Sequence, residues 1–190
     1  MAPPSDNDLV REHLAGNTQA LNELLSRYIG PLYRFILRVT GDAAQAEDIV
    51  QESCLKAWRK LSSFQTERSF KTWIFTIARN TAFDYLKKKK AIPFSALDDQ
   101  SELDEPFQER IEDDRPLASE LIEQEDSAKL LDAALQELPT KSRTVVLLHE
   151  GEDMTFQEIS ETVQEPLNTV KSRYRRALLT LRTILRRPSA

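Results

Sequence analysis

Thr155-Phe-Gln-Glu-Ile-Ser-Glu-Thr-Val163, the short turn Gln164-Glu165-Pro166, and the run from Leu167 to Arg187 read as helix, tight turn and second helix. Leu167, Val170, Tyr174, Ala177, Leu178 and Leu181 recur at helical spacing and predict the core face of the second helix. At about 100° per residue the opposite face gathers Asn168, Thr169, Ser172, Arg175, Arg176 and Leu179, with Lys171 and Arg173 flanking it. From Lys171 to Arg187 there are seven basic residues and no acidic one. Short polar groups near a helix start, with arginines further along, suit a major groove: the small side chains admit close approach, and Arg reaches base edges or phosphates. The alternative is a solvated basic face on an ordinary helical hairpin; the preceding helix and tight turn favour DNA.

Outward from this unit the chain is helical throughout. Leu21, Leu24, Leu25, Tyr28, Leu32, Phe35, Ile36 and Val39 form one buried face, in a helix that Pro31 kinks or divides. Gly41-Asp42 stops that helix and caps the next, from about Ala43 to Leu61. Ser69 caps a helix from Phe70 to about Lys90. Residues 118–138 form a helix stopped by Pro139, residues 142–151 a short one ending at Gly151, and Thr155–Val163 and Leu167–Arg186 complete the set. Strand-type alternation is absent, so the expected class is all-α.

Charge divides the 190 residues. Residues 92–126 hold 13 acidic and 2 basic side chains, a net charge of −11, whereas the whole chain carries only −5. The segment 91–117 has three prolines and no buriable face, and its carboxylates repel one another. The expected organisation is two small helical domains, 1–91 and 119–190, joined by a flexible acidic linker, 92–118. Such a linker spans roughly 30 Å as a coil.

Composition excludes other classes. A single cysteine, Cys54, rules out an internal disulfide framework and a Cys-based zinc site, and 4 Gly exclude collagen-like or Gly-rich linker chains. No apolar run approaches the ~20 residues of a membrane span, and the N-terminus lacks a signal-peptide core, which predicts a cytosolic chain without membrane insertion. His13 and His149 fall in different domains without an obvious ligand set, so no catalytic centre, metal or cofactor is expected.

Two further helices point to partners. In residues 43–61 the predicted buried stripe is Ala46, Ile49, Val50, Cys54, Ala57, Trp58 and Leu61; Asp48, Gln51, Glu52, Leu55 and Arg59 share the reverse face. An exposed Leu among acids and an amide is either a small anchor for a protein partner or a stray surface residue. In residues 70–90, Phe70, Ile74, Ile77, Ala78, Thr81 and Tyr85 line one side, and Thr76, Arg79, Asn80, Phe83 and Lys87 the other, with Trp73 at the edge. Rings, an amide and cations together suit single-stranded nucleic acid, because bases stack on rings for about 1–3 kcal/mol each while Lys and Arg follow the phosphates. Phe64, in the preceding loop, walls such a pocket.

The runs AEDIVQESCLKAW, SFKTWIFTIARNTAFDYLKKK and LQELPTKSRTVVLLHEGEDMTFQEISETVQEPLNTVKSRYRRALLTL together resemble a bacterial sigma factor of the sigma-70 family. The shortness of the chain, with two helical domains only, is similar to the extracytoplasmic-function group. The resemblance implies a non-enzymatic subunit that binds core RNA polymerase and directs promoter-specific initiation. Asp48, Gln51 and Glu52, with Leu55 beside them, would dock on the β′ clamp helices, and the second domain on the β flap. Phe64, Trp73, Arg79 and Asn80 would capture a flipped minus-ten base, with Thr76, Phe83 and Lys87 added from the face analysis. Thr169, Lys171, Ser172, Arg175 and Arg176, flanked by Asn168 and Arg173, would read the minus-thirty-five element as duplex. The resemblance also implies an anti-sigma factor. A stand-alone helix-turn-helix regulator is the alternative. Two positions depart from the family pattern: Gln164-Glu165 stands where a Gly-apolar pair is common, and Lys87 where Arg is usual.

Overall fold

The structure, a computed structural model, describes residues 3–90 and 125–186. The expected linker, and residues 118–124 of the helix expected over 118–138, lie outside the described residues. Within them the chain is all-α: α1 (Asp6–Leu14), α2 (Thr18–Thr40), α3 (Ala43–Lys60) and α4 (Phe70–Lys90) form a first bundle. A second is built from α5 (Glu125–Glu137), α6 (Thr140–Val146), α7 (Phe156–Val163) and α8 (Leu167–Leu185). A 3₁₀ turn, Leu61–Ser63, follows α3, and a π turn, Leu147–Gly151, extends α6.

Local chemistry sets these boundaries. Gly41 closes α2 in the left-handed region (φ 71°), and the Asp42 side chain then accepts from Gln45 N to open α3. Thr72 N donates to Ser69 Oγ at 3.2 Å, the expected cap of α4. Thr155 and Glu158 form a reciprocal capping box at the start of α7. Helix α2 runs from Thr18 to Thr40 without a break at Pro31, so the proline does not divide it. The preceding residue is Gly30, which has no Cβ to meet the proline ring. Helix α1 has no counterpart among the expected elements; Ser5 and Asp8 make its capping box, and Leu9 and Val10 are buried against the bundle.

The core of the first bundle comes from the spacing read in α2: Leu21, Leu24, Tyr28, Leu32, Phe35, Ile36 and Val39 are all buried. Trp58, expected in the buried stripe of α3, is instead 55% exposed, and Cys54 is half-buried. The stripe that packs is Ala46, Ile49, Val50, Ser53 and Ala57. That stripe is centred on Ala46, Val50, Ser53 and Ala57, which leaves Trp58 about 100° round the helix from Ala57. In α8, Leu178 is 38% exposed rather than core, because Val170, Arg173, Ala177 and Leu181 occupy the inner face.

The two bundles pack on each other, and their buried side chains form one continuous cluster. Helix α2 meets α5, α6 and the π turn, and α4 meets α7. Buried Arg143 on α6 closes this seam: its guanidinium donates to the main-chain oxygens of Val39 (3.0 Å) at the end of α2 and of Leu138 (3.0 Å) and Gln136 (2.9 Å). Arg38 pairs with Asp132 at 3.0 Å, and Gln136 Nε2 donates to Arg38 O at 2.8 Å. These bonds satisfy carbonyls that the end of α2 leaves without helical partners.

Candidate nucleic-acid interface and docking face

The α3 surface is laid out as the helical period requires. Asp48, Gln51, Glu52 and Leu55 are all exposed on one face, Leu55 at 49%. Glu52 pairs with Lys56 at 2.8 Å, and Lys56 Nζ donates to Thr81 Oγ1 at 3.1 Å, which fixes this face relative to α4. Trp58 stands one turn beyond Leu55 and was missed by the sequence reading, which placed it in the core. The signal that could have found it is the charge around it: an indole followed by Arg59 and Lys60 ends a stripe rather than filling one. An exposed indole beside an exposed Leu, rimmed by carboxylates and an amide, has the make-up of an interface anchor.

The α4 face is more enclosed than expected. Phe64 and Phe83 are buried, Trp73, Thr76, Arg79, Asn80 and Lys87 are partly buried. Phe64, Phe70 and Trp73 form one aromatic wall: Phe64 and Trp73 have ring centroids 5.0 Å apart, and Phe70 and Trp73 5.5 Å apart. Phe64 therefore supports Trp73 from beneath. Arg79 lies over the Phe83 ring at 4.3 Å and donates to Asn80 Oδ1 at 2.8 Å. Its Nε is buried without a hydrogen-bond partner. Burial pulls the Arg79 guanidinium below its ordinary value, opposed by Glu165, while Arg173 adds to the fall. Of the side chains named for nucleic acid, Arg79 and Phe83 line the cleft toward the second domain, Arg79 also meets Asn80, and Phe64 and Trp73 pack with Phe70.

In the second domain, Gln164 occupies the left-handed region (φ 58°, ψ 42°), the conformation a glycine adopts most easily. Ser160 supports it: Ser160 O accepts from Glu165 N at 3.2 Å, and Ser160 Oγ donates to Glu165 O at 2.6 Å. On α8, Asn168, Lys171 and Arg175 are exposed, and Thr169, Ser172 and Arg176 are partly buried. Arg173 differs from the others in being buried, ion-paired with Glu165. Its position follows from packing: it lies between Val170 and Ala177 on the inner face, so it fastens the turn to α8 in this arrangement.

Nothing in the described residues groups three His, Cys, Asp or Glu side chains to hold a metal, and no described helix is long and apolar enough to cross a membrane.

Comparison with known proteins gives this geometry a context. The family model for Sigma-70 region 2 matches residues 24–92, and that for Sigma-70, region 4 matches residues 128–181. The RNA polymerase sigma-H factor of Pseudomonas aeruginosa is 32% identical over 179 residues, spanning 90% of this chain and 89% of the relative. The ECF RNA polymerase sigma factor SigW of Bacillus subtilis is 30% identical over 179 residues, spanning 93% and 95%. Among solved structures, CnrH in complex with the cytosolic domain of CnrY superposes with a TM-score of 0.70 at 23% identity, covering 97% of this chain and 99% of that one. The sigma factor RpoE of Bartonella quintana, solved with the anti-sigma factor NepR, gives 0.65 at 24% identity, covering 88% and 98%. Both structural likenesses are likenesses of fold.

Proposed function

Because the chain belongs to the sigma-70 family, and within it to the extracytoplasmic-function sigma factors that bind RNA polymerase for transcription initiation, we propose that it reads promoters at two places with its two domains. Asp48, Gln51, Glu52 and Leu55, together with Trp58, dock on the β′ clamp helices of core polymerase, and the second domain meets the β flap. Asn168, Thr169, Lys171, Ser172, Arg175 and Arg176 line the groove-facing side of α8 for the minus-thirty-five duplex. Arg173 braces that side from within. Trp73, Arg79 and Asn80, backed by Phe64 and flanked by Thr76, Phe83 and Lys87, take a base turned out of the minus-ten element.

The reading requires no bond-making by this chain. An aromatic wall and an amide bind a base that is already out of its stack better than one still paired, so they shift the closed–open equilibrium toward the open strand. Polymerase supplies the chemistry, in the cytoplasm where it works. An anti-sigma factor is the expected regulator, a reading supported by the sigma factor RpoE of Bartonella quintana, which was solved with one.

The observation that carries this reading is the bare Leu55–Trp58 pair beside Asp48, Gln51 and Glu52 on α3. The test is reconstitution: the purified chain with core polymerase on genomic fragments, followed by mapping of RNA 5′ ends. New start sites that share upstream sequence support it. Tight duplex binding by the chain alone, unaltered by polymerase, would refute it.

A further inference from the structure

Phe64, one side of the aromatic wall, sits on the stretch 64–69 that joins the 3₁₀ turn to α4, and Gln65, Glu67, Arg68 and Ser69 beside it are exposed. The stretch turns on itself where Arg68 N donates to Gln65 O at 2.9 Å. Its tie to the bundle comes from α1: Asn7 Nδ2 donates to Thr66 O at 2.8 Å, across 59 positions of sequence. Among the described residues this is the one hydrogen bond that joins residues 64–68 to an α-helix. Asn7 is placed by the start of α1, where the Ser5–Asp8 capping box fixes the first turn. About 100° of rotation separates neighbouring positions, so Asn7 reaches the loop while Asp6 faces α2. There Asp6 accepts from the Tyr28 hydroxyl, and from Arg27 at 3.0 Å. Burial, and the bond to Asp6, raise the pKa of that hydroxyl, so it stays a donor. The Tyr28 ring meets Phe70 edge to face at 5.3 Å, and Phe70 lies 5.6 Å from Phe64. Two routes therefore run from the first turn of α1 to the wall, one through the loop and one through the core.

We propose that Asn7 is a positioning residue for base capture: through Thr66 it holds the loop so that Phe64 stays packed against Trp73, and so sets which base the wall accepts. The proposal deepens the reading of Trp73, Arg79 and Asn80 as a base pocket and rests on it. Stacking alone takes any base, because every base has a π face. Selection needs a ring and polar groups held at fixed distances from one another. A ring free to shift keeps the stacking and loses the selection. An exposed loop with a single tie to the bundle is where that freedom enters. Asn7 itself touches no base; it acts through Thr66 and Phe64, while Asp6 and Tyr28 brace Phe70 from the other side.

The experiment uses the full chain. Asn7→Asp keeps the size of the side chain and puts an anion in the first turn of α1, where a helix favours one, but it removes the donor to Thr66 O. Asp8→Ala breaks the capping box and the pair with Arg11, and so weakens α1 without touching the loop. In the first readout, holoenzyme made with each chain selects from short single-stranded DNA with randomised positions, and sequencing gives the base preference at each. An added negative charge weakens every strand alike and cancels from the preference. Asn7→Asp is expected to lower the preference at one position roughly fivefold, the size of one net hydrogen bond, and Asp8→Ala to leave it at the wild-type value. The second readout needs no polymerase. The chain has two tryptophans, so with Trp58→Phe as the common background the emission comes from Trp73, and acrylamide quenching reports how tightly the wall covers it. Quenching is expected to increase in Asn7→Asp and to stay unchanged in Asp8→Ala. Unchanged preference or unchanged quenching in Asn7→Asp, or matching changes in Asp8→Ala, would overturn the proposal. If wild-type holoenzyme prefers no base at any position, the reading of α4 fails, while quenching still decides whether Asn7 holds the wall.

Discussion

Arg143 on α6 reaches the main-chain oxygen of Val39 at 3.0 Å, so the last turn of α2 is completed by a side chain more than a hundred positions away in sequence. The bond ties the two bundles through a charged donor whose own burial draws its pKa down. Hydrogen bonds to charged groups contribute about 1.5–3 kcal/mol net. Arg143→Met is therefore expected to lower stability by about 3 kcal/mol in urea unfolding. Arg143→Lys should recover little, since an ammonium cannot reproduce the planar fork that meets Val39, Gln136 and Leu138 together.

Trp58 and Leu55 are expected to separate binding from folding. Both are about half exposed, so Trp58→Ala and Leu55→Ala should leave the melting temperature within a degree or two. Their effect on association with core polymerase should be of hot-spot size, ~2 kcal/mol or about thirtyfold, measured by biolayer interferometry. Charge reversal at Asp48 and Glu52 should abolish co-purification. Retention of wild-type affinity in these variants would remove α3 from the docking face.

Asn80 is expected to act late. In reconstituted initiation, Asn80→Ala should reduce permanganate reactivity of the opened strand more than it reduces promoter binding in a mobility shift. Equal losses in both assays would place Asn80 in initial binding instead.

Arg175 and Arg173 should behave differently although they are two residues apart. Exposed Arg175→Ala is expected to weaken holoenzyme binding to duplex by about 1–3 kcal/mol, with a shallower salt dependence if it meets phosphate. Buried Arg173→Ala should show first as a loss of stability, because it removes the buried ion pair with Glu165 and leaves that carboxylate only Lys141, at 3.9 Å. Thermal melting alongside DNA titration distinguishes them.

Two carboxyls give opposite pH signatures. Asp42 is held below the ordinary value of 3.8 by its hydrogen bond to Lys89 and by Gln45 N at the cap, so its contribution is present above that value and lost as pH falls through the folded one. Glu152 is raised above 4.5 by burial, with Lys71 and Arg34 opposing. Its protonated form is favoured in the fold, so its penalty appears as pH rises through the folded value. Glu152→Gln should thus stabilise the chain at neutral pH and flatten that part of the pH–stability curve, measured by thermal melts across the acidic to neutral range.

What could be read from the sequence is what depends on one helix at a time. The α2 stripe, the Gly41–Asp42 junction and the cap at Ser69 all follow from local spacing and hydrogen-bonding chemistry. What could not be read is how many sides of a helix are covered. The stripe expected on α4 ran from Phe70 to Tyr85, but Phe75 packs on Phe35 with ring centroids 5.4 Å apart, and Phe83 is covered at the seam with the second domain. Periodicity reports a direction, and a second partner arriving from another direction leaves no period of its own. Trp58 failed for a different reason: the stripe that packs is centred on Val50, Ser53 and Ala57, and Trp58 stands about 100° from Ala57, at its edge. On α8 two side chains depart from the expected faces: Arg173 lies buried on the inner face, where it pairs with Glu165, and Leu178 is exposed.

The naked indole at Trp58 also bears on solubility. If polymerase shelters this ring, as proposed, the unaccompanied chain keeps an apolar spot in water that assembly removes, and its solubility should improve on mixing with the core enzyme.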